Sequence, residues 1–421
     1  MLVIISDLHF VDGTAGEHNV PVEAFHLFFK SLNATVQRLI QRKRPVKEIK
    51  IVFLGDIFDL LRTEAWFDPI PEDERPWGTK ETKIKQHANR IFDQIIAANE
   101  PTFTLLGGDL AHQFGFPVEP ERIYIPGNHD RLCNKYPNLR AKVRTNLGIK
   151  SARTAFEHCF EDPSYGVFAR HGQEYDKYNY EGATSYSHED YMRVPIGDPI
   201  TTELVARLPW QIMQHPVITN LPPIQQTSLK RNLQEIENVR PFSATLEWLL
   251  YQVKANLFIK AAIEDSVDTI IKDFHALPYV KRWFEHHDRW LHFMDEADKI
   301  QAALYILEKF KIFSSEQLMP LIGRLKAWVA ADDLREGAQA EYAHLNSDIR
   351  YVVYGHTHDP LQLPIRAINT PAGLKQHTYL NTGTWRTRYH KCKEGLGFVG
   401  WKNLTYTVFY TKEERGLDFP S

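Results

Sequence analysis

The stretch Glu48-Ile-Lys-Ile-Val-Phe-Leu-Gly55 runs directly into Asp56-Ile57-Phe58-Asp59. Its apolar and β-branched residues predict a buried strand over 48–55, and the residues after it predict a polar turn. The glycine at its end lets the backbone turn tightly beneath a ligand. The carboxylate of Asp56 has two oxygens, so this side chain can bridge two cations. We therefore predict a metal ligand at the edge of a β-sheet.

Four further polar motifs lie along the chain, and three of them follow runs rich in Val, Ile, Leu, Phe or Tyr. They are Asp7-Leu8-His9, Gly127-Asn128-His129-Asp130, His171-Gly172 and Gly355-His356-Thr357-His358, of which His171-Gly172 is the exception. Loops at strand ends are where α/β proteins gather ligands from distant parts of the sequence. Asp, His and Asn together suit divalent cations such as Mn, Fe or Zn. The motifs predict two adjacent divalent metal ions as cofactors, with Mn²⁺ favoured over Fe or Zn.

The alternation of strand and helix patterns predicts an α/β fold with a largely parallel sheet. Strands are predicted over 1–10, 48–55, 122–126 and 164–170, with helices over 22–43 and 83–99. From 201 to 345 the pattern changes to long helical periodicities without a convincing strand. Strand character returns over 349–354 and 377–380, followed by two hairpin strands over 396–402 and 404–411. We predict a core formed by 1–200 and 346–421, with an all-helical insertion, or cap, over 201–345.

Composition excludes several classes of protein. The 421 residues are 43% hydrophobic and carry a formal net charge of −3, which favours a soluble globular chain with no global attraction to nucleic acid. The three cysteines show no CxxC spacing, so neither a disulfide framework nor a zinc knuckle is expected. No apolar stretch reaches the roughly 18 residues of a membrane span, and the N-terminus lacks the basic flank of a signal peptide. These features predict a cytoplasmic protein, and they leave its oligomeric state open.

The order of the motifs resembles the calcineurin-like metallophosphoesterase superfamily over residues 1–172 and about 350–390. The resemblance implies two facing β-sheets flanked by helices, with the metal ions at the loop edge of the sheets. It further implies that His129 assists the leaving group and that Asp59 orients His129. One ion would be bound by Asp7, His9, Asp56 and His358, and the other by Asp56, Asn128, His171 and His356.

Such a pair of cations, roughly 3.5–4 Å apart, stabilises a bridging hydroxide that attacks phosphorus in line with the leaving oxygen. We therefore predict a metal-dependent phosphoesterase acting on a small-molecule or nucleotide phosphoester selected by the helical cap. Leu60 and Leu61 follow Asp59 where the protein serine/threonine phosphatases of the superfamily carry Arg-Gly, which disfavours a phosphoprotein substrate. His129 stands where the lipid-A-pathway pyrophosphohydrolases usually carry Arg, which disfavours that activity.

Two other functions stay open. A nuclease or phosphodiesterase of the same superfamily would need a basic, aromatic-lined groove beside the metals, and the charge balance does not support one. A metal-binding scaffold without activity would be expected to lack ligands, and none is missing.

Other polar residues have simpler interpretations. Gly108-Asp109 competes with Gly55-Asp56 as a strand ending but lacks an aspartate three residues later, so Asp56 is preferred. The group His286, His287, Asp288 and His292 is better explained as the solvent-facing side of an aromatic helix than as a third metal site. Cys133 is expected to be a buried, inert thiol, and Asn381-Thr-Gly-Thr-Trp385 to close the second sheet. Five residues flank the ligand motifs and could contact substrate, namely Arg131, Arg170, Tyr175, Asp176 and Arg386.

Overall fold

The computed structural model describes residues 1–16, 19–67, 69–151, 154–240, 244–254, 257–287, 300–301, 334–370, 373–392 and 397–416. These residues form a mixed α/β structure with three sheets. None of the helices described is both long enough and apolar enough to span a membrane. The strands are β1 (Leu2–Ile5), β2 (Lys50–Leu54), β3 (Glu121–Ile125), β4 (Phe160–Asp162), β5 (Val167–Ala169), β6 (Val239–Arg240), β7 (Tyr351–Tyr354), β8 (Leu361–Thr370), β9 (Gly373–Asn381), β10 (Thr387–Lys391), β11 (Phe398–Lys402) and β12 (Thr407–Phe409).

The helices surround these sheets. Those before residue 200 are Val22–Gln41, Glu81–Ala98, Glu100–Gly107, Leu110–Phe114, Arg131–Lys135, Pro137–Leu147, His188–Met192 and Gly197–Pro199. Those after it are a π-helix over Ile200–Ala206 and the α-helices Arg207–Met213, Pro216–Thr219, Pro223–Gln234, Thr245–Lys254, Leu257–Ala276, Pro278–His287, Arg335–Glu341 and Lys412–Arg415. Single 3₁₀ turns lie at Glu64–Trp66, Glu72–Glu74, Gln173–Tyr175 and Ile236–Asn238.

The first sheet has the strand order β12-β1-β2-β3. Strands β1, β2 and β3 are parallel, and β12 pairs antiparallel with β1 along the outer edge. The helix Val22–Gln41, which confirms most of the predicted span 22–43, covers one face of this sheet. It buries Phe25, Phe28 and Phe29 on one side because apolar residues recur at helical spacing.

The second sheet has the order β4-β5-β7-β9-β8, and β5, β7 and β9 are parallel. Its apolar side chains share one buried cluster with those of the first sheet. This cluster joins the two sheets through Leu2, Ile4, Val52, Leu54 and Ile125 of the first and Tyr165, Val167, Ala169 and Val353 of the second.

A third sheet, with the order β11-β10-β6, corrects two sequence predictions. Strand β6 lies within 201–345 and pairs parallel with β10, so the prediction of an all-helical insertion is wrong there. Two residues are too few to show a strand periodicity. The predicted hairpin is also wrong, because β11 pairs with β10 whereas β12 pairs with β1 in the first sheet.

Helices of the insertion have their own hydrophobic cluster. Leu208, Ile212, Leu233, Ile263 and Phe274 are among its buried side chains. The predicted helix at 244–251 is confirmed by Thr245–Lys254. The predicted helical stretch that begins at Asp298 lies outside the described residues apart from 300–301.

Candidate metal centre

The ligand motifs lie at the carboxyl ends of parallel strands from both large sheets. Asp7, Asp56 and Asn128 follow β1, β2 and β3, whereas His171 and His356 follow β5 and β7. Backbone hydrogen bonds join the loops side by side. The amide of His9 donates to Asp56 O at 2.8 Å, and the amide of Gly355 donates to His171 O at 2.9 Å. Segments far apart in the sequence are thereby held within reach of one another.

A first group of ligand atoms is provided by Asp7, His9 and His358, whose candidate donor atoms all lie within 4.8 Å of one another. The Nε2 atoms of His9 and His358 are 2.9 Å apart, and His358 Nε2 lies 3.4 Å from Asp7 Oδ1. All three side chains are buried. Two imidazoles and one carboxylate converging in this way could bind a metal ion.

A second group is provided by Asp56, His171 and His356, again within 4.8 Å. His171 Nδ1 donates to Leu54 O at 3.0 Å, which leaves Nε2, 3.1 Å from Asp56 Oδ2, as the nitrogen that could bind a metal ion. That Nε2 is buried and has no hydrogen-bond partner. His356 Nε2 is held by Asp176 Oδ2 at 2.9 Å, so Nδ1 is the nitrogen left for a cation.

Asp56, a member of the second group, also lies close to the first. Its Oδ2 is 3.1 Å from His171 Nε2 and 3.7 Å from His9 Nε2, and Oδ1 accepts a hydrogen bond from the amide of His129 at 2.9 Å. Asn128, next to His129, has a buried Oδ1 without a hydrogen-bond partner, while its Nδ2 donates to Asn179 Oδ1 at 3.2 Å. The amide oxygen is therefore left for another partner. A buried polar atom without a partner is rare, and a metal ion would satisfy it.

Asp59 joins two histidines. Its Oδ2 lies 3.0 Å from His9 Nδ1, and its Oδ1 lies 2.9 Å from His129 Nδ1. The two rings are edge to face, with centroids 4.8 Å apart. Although these three side chains also form a tight group of potential ligands, both Nδ1 atoms are already occupied by Asp59. Asp59 therefore orients the two rings and leaves their Nε2 atoms available.

The backbone is strained at the candidate ligands. Among the described residues, eight other than glycine have a positive φ, and five of them are candidate ligands: Asp7 at 52°, His9 at 45°, Asp56 at 51°, His356 at 69° and His358 at 64°. Each such conformation costs on the order of 1–3 kcal/mol and persists only where the surroundings enforce it. The concentration of strain in these loops makes them a candidate functional site.

Buried carboxylates dominate the electrostatics. Burial alone would raise the pKa of Asp7 and of Asp56, but His171 and the other nearby imidazoles hold both well below their ordinary value. For Asp59 the opposing effect of His129 likewise outweighs burial and lowers its pKa. Three carboxylates are thus held ionised in the interior, where their charge needs a positive counterpart.

The imidazoles respond in the opposite sense. Burial disfavours the charged ring of His171, yet Asp56 and Asp7 raise its pKa to about 10. Burial is likewise outweighed by carboxylates at His9 and His129, whose pKa values are raised. For His358, burial and the neighbouring Arg240 lower the pKa to about 3. The protons on these histidines balance the negative charge of the buried aspartates, and divalent cations could replace those protons.

Some residues of the site were not assigned a role from sequence. Asp130, fully buried, accepts hydrogen bonds from the amides of Ile57 at 3.1 Å and Phe58 at 2.8 Å, and so fixes the loop after β3 against the loop after β2. Burial, with the charge of Asp56, raises the pKa of Asp130 to about 7.

Arg240 of β6 donates from Nη2 to His358 Nδ1 at 2.5 Å. No periodicity or motif in the insertion points to Arg240.

The residues proposed to flank the substrate have other partners. Arg131 and Arg170 are buried in ion pairs with Asp198 at 2.5 Å and Glu341 at 2.9 Å, and Tyr175 donates to Glu341 at 2.8 Å. Asp176 holds His356, as described above. Arg386 Nη1 lies 3.4 Å from Glu237 Oε2, which is also 2.6 Å from Arg62 Nη1. These contacts support the loops around the candidate ligands.

Asp109 is not at a strand end. It follows the helix Glu100–Gly107 and caps the next helix by accepting from the amide of His112 at 2.8 Å, so the resemblance of Gly108-Asp109 to a strand ending is not borne out, and Asp56 stays the preferred candidate ligand. His286 is exposed, and His287 stacks on Trp283, whereas Asp288 and His292 lie outside the described residues. Cys133 is buried, as predicted, and the three cysteines are free.

Comparison of the chain with models of protein families, with curated protein sequences and with solved structures gave no match.

Proposed function

We propose that this chain is a metal-dependent phosphoesterase of the calcineurin-like type, with two divalent ions at the candidate metal centre. The observation that carries the proposal is that Asp56, a member of the second ligand group, also lies 3.7 Å from His9 Nε2 of the first group, with His129 held beside it. The order of the five ligand motifs along the chain supports the same class. In this proposal the two large sheets face each other as the halves of a sandwich, and their shared apolar cluster supports that arrangement.

The donor set fits such ions. Carboxylate, imidazole and amide oxygen ligands suit Mn²⁺ best, with Fe and Zn as alternatives. The unpartnered Oδ1 of Asn128 and Nε2 of His171 are buried atoms that a cation would satisfy. When bound, two such ions would provide an activated water and charge neutralisation for a phosphoryl group. Asp7, His9, Asp56 and His358 would hold one ion; Asp56, Asn128, His171 and His356 would hold the other.

Residues of the chain then complete the reaction. His129 is positioned by the hydrogen bond between Nδ1 and Asp59, which leaves Nε2 to donate a proton to the leaving oxygen as the P–O bond breaks. Burial disfavours the protonated ring, but Asp59 and Asp56 raise the pKa of His129 well above its ordinary value. His129 can therefore carry a proton at neutral pH.

In this proposal the insertion lies beside the metal centre and contacts the substrate. Strand β6 and the 3₁₀ turn before it place Glu237 on Arg62 of the core and Arg240 on His358. An element anchored in this way cannot move freely relative to the metal ligands. Its surface is suited to select a small-molecule or nucleotide phosphoester.

The test begins with metal-stripped protein, to which Mn, Zn, Fe or Mg is added back. Hydrolysis of p-nitrophenyl phosphate and of bis-p-nitrophenyl phosphate is measured, and bound metal is counted by elemental analysis. Asp56→Asn should lose both activity and bound metal. Asp109→Asn, which changes an exposed helix cap, is the matched control and should keep both.

The two esters also separate the alternatives. A preference for the diester would favour a phosphodiesterase or nuclease. Two bound ions without hydrolysis of either ester or of a panel of metabolite phosphates would indicate an inactive scaffold and refute the proposal.

A further inference from the structure

The third sheet has two chemically different faces. Tyr389 and Phe398 on one face pack against Trp248 of the insertion, with ring centroids 5.0 Å apart in both cases. Val239 is buried in the same hydrophobic cluster. Because side chains alternate across a strand, the residues between these must lie on the opposite face.

That opposite face, here called the Trp401 face, combines cationic and exposed apolar side chains. Its members follow from the strand register, in which Arg388 is paired with Trp401, and His390 with both Val399 and Arg240. Trp401 is 57% exposed and Val399 is 46% exposed, which is unusual for large apolar residues on a short edge strand. Neither residue is explained by the hydrophobic clusters of the described structure.

The Trp401 face begins at the candidate metal centre. Arg240 contacts His358 through Nη2, and Arg388 forms an ion pair with Asp359, the residue after His358. Within the described part of the chain, no carboxylate lies at ion-pair distance from Arg240, whose Nη1 instead donates to the carbonyl oxygens of Glu237 and Val239. A guanidinium without a carboxylate beside a cation site is suited to bind phosphoryl oxygens.

His390 lies on this face between Arg388 and Arg240. Burial lowers the pKa of His390, and the charges of Arg388 and Arg240 lower it further against the opposite effect of Asp359. Arg388 is already paired with Asp359, so Arg240 is the guanidinium of this face suited to an anion. Arg240 is on β6, whereas Val399 and Trp401 are on β11. These two strands are separated by two inter-strand spacings, a distance on the order of 10 Å.

We propose that the Trp401 face is the substrate subsite for a nucleotide-type phosphoester, an inference that rests on the proposed phosphoesterase function. Arg240 binds the phosphoryl group next to the ligands of the metal centre, and Trp401 stacks on the nucleobase. A phosphate at one end, an aromatic base at the other and a length of this order match the strip from Arg240 to Trp401. Arg240 also supplies the phosphate-binding arginine that the sequence lacks after Asp59, where Leu60 stands.

The test measures binding, so it does not require turnover. The probes are the phosphonate analogue of adenosine monophosphate, in which a P–C bond prevents hydrolysis, and the same analogue of ribose 5-phosphate, which lacks the base. Calorimetry with Mn²⁺-loaded full-length protein gives the Kd of each. Trp401→Ala should weaken binding of the base-containing probe about 5- to 150-fold and leave the base-free probe unchanged.

Three further variants make the result specific. Trp401→Phe should restore most of the affinity, since it keeps an aromatic face. Arg240→Ala should weaken binding of both probes. Leu374→Ala, which removes another exposed apolar side chain (63% exposed) from strand β9, is the matched control and should change neither.

Several outcomes would overturn the subsite. The first is that the wild-type protein binds the two probes with equal affinity. The second is that Trp401→Ala loses the same affinity for both probes. The third is that the metal-loaded protein binds neither probe. A concentration-dependent dimer in sedimentation velocity that Trp401→Ala abolishes would assign the face to a second copy of the chain instead. Base-selective binding in a protein that hydrolyses no phosphoester would support the subsite while refuting the proposed activity.

Discussion

Replacing Gly55 with alanine is expected to displace the ring of His171 and weaken metal binding. Gly55 has φ +81°, and a Cβ built there would lie 2.2 Å from His171 Nδ1, 2.4 Å from Cγ and 2.7 Å from Cβ. His171 is fully buried and its Nδ1 is already bonded to Leu54 O, so a displaced ring would lose that hydrogen bond. Ordinary contacts would require a shift of about 1 Å.

Two costs add in this variant. An alanine in the left-handed region costs about 1–2 kcal/mol, and overpacking a tight interior costs about 1–3 kcal/mol more. Gly55→Ala should therefore lower the free energy of unfolding by about 2–5 kcal/mol. A ligand moved from its orientation should also weaken binding of Mn²⁺ on the order of 10- to 100-fold.

Gly13→Ala separates the two effects. Gly13 has nearly the same backbone conformation, φ +85°, but its Cβ would meet nothing within 4 Å. This control should lose only the conformational part of about 1–2 kcal/mol and bind Mn²⁺ like the wild type. Urea unfolding of the chelator-treated proteins and calorimetric titration with Mn²⁺ measure both quantities. If the two variants lose equal stability and both keep the affinity for Mn²⁺, the argument about His171 is wrong.

Three other changes test the site and its support. His129→Ala should slow hydrolysis of an alkyl phosphate by about 10²–10⁴-fold and that of p-nitrophenyl phosphate far less, because nitrophenolate leaves without a proton; equal losses would contradict the leaving-group role. Asp59→Asn should weaken binding of Mn²⁺ about 10- to 100-fold in calorimetry, because the amide cannot accept from both imidazoles, and an unchanged Kd would refute this. Glu237→Gln should lower the free energy of unfolding at neutral pH by about 3–5 kcal/mol, since Arg62 and Arg386 lose their buried counter-charge. Burial would raise the pKa of Glu237, but Arg62 lowers it from 4.5 to about 2, so this stabilisation is complete above 4.5 and lost as the pH falls towards 2. The difference between wild type and variant in urea unfolding should narrow across that window, and a constant difference would count against the ion pair.

The sequence predicted strands β1, β2, β3 and β7 because each is a short apolar run that ends in a polar turn, whereas β4 and β8 were not predicted. That pattern placed Asp7, Asp56 and Asn128 at strand ends, and the structure brings Asp7 and Asp56 close to His171 and the histidines after β7. Such local patterns predict which residues come together, because the carboxyl ends of parallel strands meet at one edge of a sheet.

Pairings between distant segments were not predictable in the same way. Strands β11 and β12 are neighbours in sequence but belong to different sheets. Tertiary packing determines which strand each of them pairs with, and their own residues do not indicate it. Strand β6 has only two residues, and Arg240 acquires its place at His358 through that strand. Gly108-Asp109 shows the converse error, because an apolar run before a glycine can equally be a short helix.

The left-handed backbone of the candidate ligand residues has a consequence for laboratory evolution. Glycine at Asp7, His9, Asp56, His356 or His358 would relieve conformational strain, so each of these positions offers a route to a more stable chain that has lost its ligand. A library selected for thermal resistance alone should therefore accumulate substitutions in these loops. Selection that also demands bound metal should exclude them. Comparison of the two selected libraries would identify the residues that metal binding requires although they lower the stability of the fold.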